Sequence, residues 1–98
     1  MHKLEVIVTP SAEVDLQNIF DYIAADNLNK AIEMIDIFEE KFNTIATFPN
    51  IGFKKSKFVN RDVKEYVVLK HYEIIYSVKG EILFIHRVLT GYQNIFEI

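Results

Sequence analysis

An α+β fold, with the element order strand, helix, helix, strand, strand, strand, is what this 98-residue sequence predicts. Three observations carry the expectation. Apolar residues recur at steps of three and four from Ala12 to Ile45, apolar and polar residues alternate in runs before and after that stretch, and proline or glycine falls where one pattern gives way to the other. The architecture expected is a small, mainly antiparallel sheet with a two-helix hairpin packed on one face.

Each element has its own warrant. Leu4, Val6 and Val8 alternate with Glu5, Ile7 and Thr9, the period of a strand with one better-buried face. Thr9-Pro10-Ser11 supplies N-cap side chains and a proline suited to a first helical turn. Ala12, Leu16, Ile19, Phe20 and Ile23 then form one apolar stripe of a helix ending near Ala25. Asp26 and Asn27 can cap a second helix, whose stripe is Leu28, Ala31, Ile35, Phe38, Phe42 and Ile45 and which Pro49 stops. A break this short makes the two helices antiparallel neighbours.

Asn50 to Asp62 holds Gly52, Lys54, Lys55, Lys57 and Arg61 with no sustained period, and reads as an exposed basic connection. Three strand-like runs come next, Tyr66 to Leu69, Tyr72 to Val78 and Ile82 to Leu89, the last two joined at Lys79-Gly80 as an antiparallel hairpin. The expected core sets Val6, Ile74, Tyr76, Phe84 and Val88 of the sheet against Leu16, Ile23, Ile35, Phe38 and Phe42 of the helices.

With 50% hydrophobic and 26% charged residues, the composition is that of an ordinary globular domain, and residues 1–98 are expected to form a single one. There is no cysteine, so no disulfide supports it. After Met1-His2-Lys3 the chain alternates and reaches Pro10 without an apolar run long enough for a signal peptide or membrane span, so a cytoplasmic location and no membrane partner are expected. The net charge of −3 argues against a dedicated nucleic-acid binder, but it conceals a split. Residues 1–49 hold three basic against nine acidic side chains and residues 50–98 eight against five, which gives −6 and +3 and suggests two differently charged faces.

Few residues suggest chemistry. There is no HExxH, no paired carboxylate site, no Cys/His spacing and, with three glycines, no phosphate-cradling loop, so neither a metal nor a cofactor is expected. His2 is terminal, His71 lies at a strand turn, and His86 alternates with Phe84 and Val88 as a hydrogen-bonded core histidine would. Arg87 stands in an otherwise apolar strand, where it must snorkel, pair with a carboxylate such as Glu73, or serve function. Structural pairing is the favoured reading. Arg61 and Lys64 flank a strand start and read as solvated, and Tyr92 as a ring packed on the sheet.

Four segments in order carry a resemblance over nearly the whole chain: Leu16, Ile19 and Tyr22-Ile23; Phe48-Pro49-Asn50-Ile51-Gly52; Tyr72-Glu73-Ile74-Ile75-Tyr76-Ser77-Val78; and Ile85-His86-Arg87-Val88-Leu89-Thr90-Gly91. Together they resemble the RelE/ParE toxins of type II toxin–antitoxin, or plasmid-stabilisation, systems. The resemblance implies a toxin neutralised by a cognate antitoxin, with which it forms a hetero-oligomer, and a target that is either DNA gyrase or ribosome-bound messenger RNA.

Ribonucleases of the RelE type resemble one another in a metal-independent cluster of Lys and Arg with a C-terminal Tyr or His. RNA cleavage by the 2′-OH needs a proton acceptor, cations beside the phosphorane-like transition state and a donor to the leaving oxygen. Arg61, Lys64, Arg87 and Tyr92 are the candidates in this sequence. Glu73 stands where such ribonucleases typically present an arginine, and Thr90-Gly91-Tyr92-Gln93-Asn94 lacks their basic residues. The ParE branch is therefore favoured: a gyrase inhibitor that binds and catalyses nothing. The alternatives are a RelE-like ribosome-dependent endoribonuclease and a chain that retains only antitoxin binding. For the antitoxin the sequence offers two apolar landing places, Met34 with Ile37, and Tyr92, Ile95, Phe96 and Ile98. The basic stretch Lys54, Lys55, Lys57 and Arg61 would draw in an acidic partner.

Overall fold

A computed structural model describes residues 2–54 and 63–91, with Lys54 described by its backbone only. Its elements are β1 (Glu5–Val8), α1 (Pro10–Ala24), α2 (Leu28–Thr47), β2 (Phe53–Lys54), β3 (Lys64–Val68), β4 (Tyr72–Lys79) and β5 (Ile82–Thr90). The sheet runs β1-β5-β4-β3-β2, and only the β1–β5 pairing is parallel. The predicted α+β class, helical hairpin and mainly antiparallel sheet are all present. Among the described residues the added element is β2, two residues opposite Glu65 and Lys64 in the segment the sequence marked as an irregular connection. A pair this short leaves no period to detect.

Local chemistry explains the boundaries. Thr9 caps α1 by accepting the Ala12 N–H at 3.3 Å, with Pro10 filling the first turn. Asn27 caps α2 through the Lys30 N–H at 3.1 Å. The backbone leaves α2 at Phe48, because a residue that precedes a proline is pushed out of the helical region. At the β4–β5 turn Gly80 takes a φ of 62°, which glycine adopts without steric penalty.

The core lies between the hairpin and the sheet. Phe38, Ile45, Ile74, Tyr76, Leu83, Ile85 and Val88 are fully enclosed there, and Leu4, Val6, Val8, Leu16, Ile23 and Ile35 pack on them from its margins. Phe38 stacks on Phe42 with ring centres 6.5 Å apart and meets the Tyr72 ring edge-on at 5.2 Å. Leu28, expected on the apolar stripe, sits at the first residue of α2 and stays 57% exposed.

Phe84 and His86 also depart from expectation. The core positions on β5 are Leu83 and Ile85, so alternation turns Phe84 and His86 to the other side, where they are half-buried and their rings stack at 6.2 Å. The Ser77 hydroxyl meets the His86 ring nitrogen at 2.7 Å. Beyond Ile85, which faces Tyr76, the ladder steps directly to Arg87 opposite Ile75, making His86 the extra residue of a β-bulge. The bulge resets the alternation, and Val88 thereby returns to the core. Away from that core, Val63, Ile75 and Leu89 form a second small cluster.

One polar device fastens the exit of α2 to the sheet. The enclosed Tyr76 hydroxyl donates to the Pro49 carbonyl at 2.8 Å and accepts the Gly52 N–H at 3.0 Å. A Cβ on Gly52 would lie 2.5 Å from that hydroxyl oxygen and 2.6 Å from the Glu65 carbonyl, so Gly52 is required for close approach.

Burial pushes the Tyr76 phenol above its ordinary value of 10.0; the Gly52 hydrogen bond opposes this and neighbouring Tyr66 adds to it. Below about pH 10 the phenol is neutral whether the chain is folded or unfolded. At higher pH the unfolded chain ionises first, so stability should fall as pH rises past about 10 and through the folded pKa. Denaturant titrations on either side of that point should show the fall, and Tyr76→Phe should flatten it. That substitution should cost about 1–3 kcal/mol at neutral pH, because it strips both backbone groups of their partner.

Candidate functional site

β1 ends at Val8, while β5 runs on to Thr90 beyond the reach of that pairing. Two side chains at the start of α1 cover the edge that β1 leaves. The first is the N-cap Thr9, whose hydroxyl is 2.9 Å from the Ile85 carbonyl and 3.1 Å from the His86 carbonyl, two acceptors that the bulge turns to one side. In the second turn of α1, Asp15 is 95% buried and accepts the Val88 N–H at 2.9 Å.

Asp15 also receives Arg87. Nε donates to Oδ2 at 2.7 Å and one terminal nitrogen to Oδ1 at 3.0 Å, the bidentate fork geometry that guanidinium and carboxylate share. The side chains are 5% and 23% exposed, so the pair is largely shielded from water. Arg87 thus pairs structurally, as the sequence suggests, but the carboxylate taking these bonds is on α1 rather than being Glu73 of β4. Asp15 is the residue that sequence reasoning misses. A signal for it exists: Asp15 falls between Ala12 and Ile19 on the apolar stripe, where an acid demands a partner, and Arg87 is the cation inside an apolar strand.

The other cation described from the expected cluster lies elsewhere. Lys64 Nζ donates to Asn50 Oδ1 at 2.8 Å, beside the exit of α2, and β4 separates its strand from that of Arg87. Arg61 and Tyr92 lie outside the described residues, as do Lys55, Lys57, Ile95, Phe96, Ile98 and the side chain of Lys54. His71 is exposed in the β3–β4 turn, and His2 is exposed with Nε2 3.3 Å from Glu81. Among the described residues, no group of three or more His, Cys, Asp or Glu is placed to hold a metal ion.

Among the described residues, a concave surface runs along α1. A hollow of about 580 Å³ opens between α1 and the ends of β4 and β5, with Ile19, Ile23, Tyr72 and Val88 as its apolar floor and Asn18, His71 and Thr90 on its margins. A second, of about 550 Å³, continues toward the helical turn past Asp26, Asn27 and Lys30, with Met34 also in its lining. Tyr22 and Ile23 belong to both, and Tyr22 stands 85% exposed. Met34 and Ile37, the expected landing place on α2, are packed against the core from its margin; Met34 also faces this groove. An apolar floor with scattered polar margins suits the docking of a peptide segment, and the buried charge bordering it is already satisfied.

A family model described as "ParE toxin of type II toxin-antitoxin system, parDE" matches residues 6–95. Among solved structures, the chain resembles one titled "Chromosomal ParDE TA system from P. aeruginosa", with a TM-score of 0.74 and 22% identity over 92% of this chain and 98% of that one. No curated protein matches it in sequence.

If Asp15 and Arg87 form a buried pair, Asp15→Ala should lower stability by about 3–5 kcal/mol in equilibrium unfolding, because it leaves a guanidinium and a backbone N–H without their acceptor. Lys64→Ala should change it by less than about 1 kcal/mol, since its bond faces solvent.

Proposed function

The chain belongs to the ParE toxin family of type II toxin–antitoxin systems, and from that membership we propose that it inhibits DNA gyrase by binding and is held inactive by a cognate antitoxin. The observation that supports binding over catalysis is the commitment of Arg87 to Asp15. A phosphorane-like transition state needs several cations converging on one phosphate. Here the guanidinium on β5 closes on α1, while the Lys64 ammonium is tied to Asn50 on the far side of β4.

The groove along α1 is the antitoxin surface in this reading. Its apolar floor is large enough to accept side chains of a segment that orders on binding, and Tyr22 at its lip is an exposed aromatic of the kind that anchors interfaces. Met34 and Ile37 contribute from α2. Tyr92, Ile95, Phe96 and Ile98, outside the described residues, are proposed as further antitoxin contacts, and Lys54, Lys55, Lys57 and Arg61 as charges that speed the encounter with an acidic partner more than they tighten the complex.

Brief expression of the full chain in bacterial cells tests the proposal. Growth arrest should be accompanied by linearised plasmid covalently trapped on gyrase, with translated messages left intact. Rapid codon-specific cleavage of messages on ribosomes, lost in an Arg87→Lys variant that still folds, would replace this reading with the ribonuclease one.

A further inference from the structure

The face of the sheet turned away from the helices is unevenly buried. On β4, Ile75 lies between the enclosed Ile74 and Tyr76, so alternation turns it outward, and on β5 Leu89 follows the enclosed Val88 in the same way. Both are nevertheless only 2% exposed, and Val63, just before β3, is 7% exposed. The three form a cluster of their own. The helices pack on the opposite face, and every other described element is a strand of the sheet itself, so the cover of this cluster lies outside the described residues.

The register tells from which side the cover comes. Val67, Glu73 and Leu89 stand side by side across β3, β4 and β5. At the β3 end of that row Val67 is 49% exposed, whereas at the β5 end Leu89 is almost out of water's reach. Farther back along β5, Phe84 and His86 are only half-buried. On β5 the outward burial is therefore deepest at the end from which the chain leaves the sheet, where the Gly91 N–H donates to the His71 carbonyl at 2.6 Å and fixes the point of departure.

We infer that, in the chain without its antitoxin, residues 92–98 turn back over this face and seat Ile95 and Phe96 on Leu89 and Ile75. The segment has the composition for it: four of its seven residues, Tyr92, Ile95, Phe96 and Ile98, are apolar and none is basic. It also has the reach. Seven residues span up to about 25 Å when extended, and Leu89 and the Ile75 row lie only about 7 and 13 Å back along β5 from Gly91. Residues 55–62 would approach from the β3 side, where Val67 stays in water. The covered face carries Glu73 as well, so the seated segment keeps a phosphate backbone from the place where a ribonuclease would need a cation.

The absence of cysteine makes the test direct. A single thiol introduced by Ile75→Cys in the full chain should react slowly with a water-soluble disulfide reagent, and adding Ile95→Asp and Phe96→Asp should speed the reaction at least about tenfold. A thiol introduced instead by Val68→Cys, on the helix side of the sheet, should stay slow in both backgrounds and so report an intact fold. An unchanged rate at position 75 in the charged variant would overturn the inference. Should the charged variant unfold and expose both thiols, nuclear Overhauser contacts in the free parent chain decide: contacts from the Leu89 and Ile75 methyls to Phe96 and Ile95 uphold the seat, and contacts to residues 55–62 alone, or to the sheet alone, remove it. Neither readout involves gyrase or an antitoxin, so the result stands apart from the toxin proposal.

Discussion

A carboxylate taken out of water must find donors for its lone pairs or give up its charge, and Asp15 finds them along a single stretch of β5. The Arg87 guanidinium supplies two and the Val88 backbone a third. That arrangement depends on the bulge at His86. Without the extra residue, Val88 would leave the core and the strand edge would present a different set of groups to α1. Thr9 uses the same bulge along the same edge through the Ile85 and His86 carbonyls, so the start of α1 is stitched to β5 at both its cap and its second turn. Where the parallel pairing of β1 with β5 stops, these two side chains take over the edge.

A second stitch, from Tyr76 to Pro49 and Gly52, secures the exit of α2. The hairpin is thus fixed on the sheet at its entrance and its exit, while its closed end, around Asp26 and Asn27, remains at the surface beside the groove. This division has functional consequences. Of the described candidate cations, Arg87 is paired with the buried Asp15 and Lys64 bonds to Asn50 at the surface, while an apolar groove lies open along α1. Among the described residues, no helix is long and apolar enough to cross a membrane.

Most of the architecture was legible because it rests on periodicity. Steps of three and four marked α1 and α2 to within a residue or two, alternation marked β1 and β4, and a continuous apolar run marked β5. The misses share a physical cause: each turns on one residue rather than on a repeated pattern. A bulge reverses which side chains face the core without altering composition, so Phe84 and His86 were expected inward and are not. Asp15 resembles any acid on an amphipathic helix until its distant partner is known. The turn around His71 was expected, but its left-handed backbone at Leu69 and Lys70 was hidden, because Leu-Lys lacks the glycine or asparagine that marks such a turn. Of the site residues, Arg87 was recognised as structurally paired, while Arg61 and Tyr92 lie outside the described residues and stay as proposals.

If Arg87 serves the fold rather than a substrate, its charge should be dispensable for toxicity once the fold no longer needs it. An Asp15→Asn/Arg87→Gln double variant removes both charges while leaving an amide oxygen for the Val88 N–H and an amide donor for its neighbour. Its growth arrest in cells, measured beside its unfolding free energy, is the most direct test. A folded protein that still arrests growth as the parent does is expected; a double variant that folds with near-parental stability yet leaves growth unimpaired would show that the Arg87 charge acts on the target, in contradiction to a structural role.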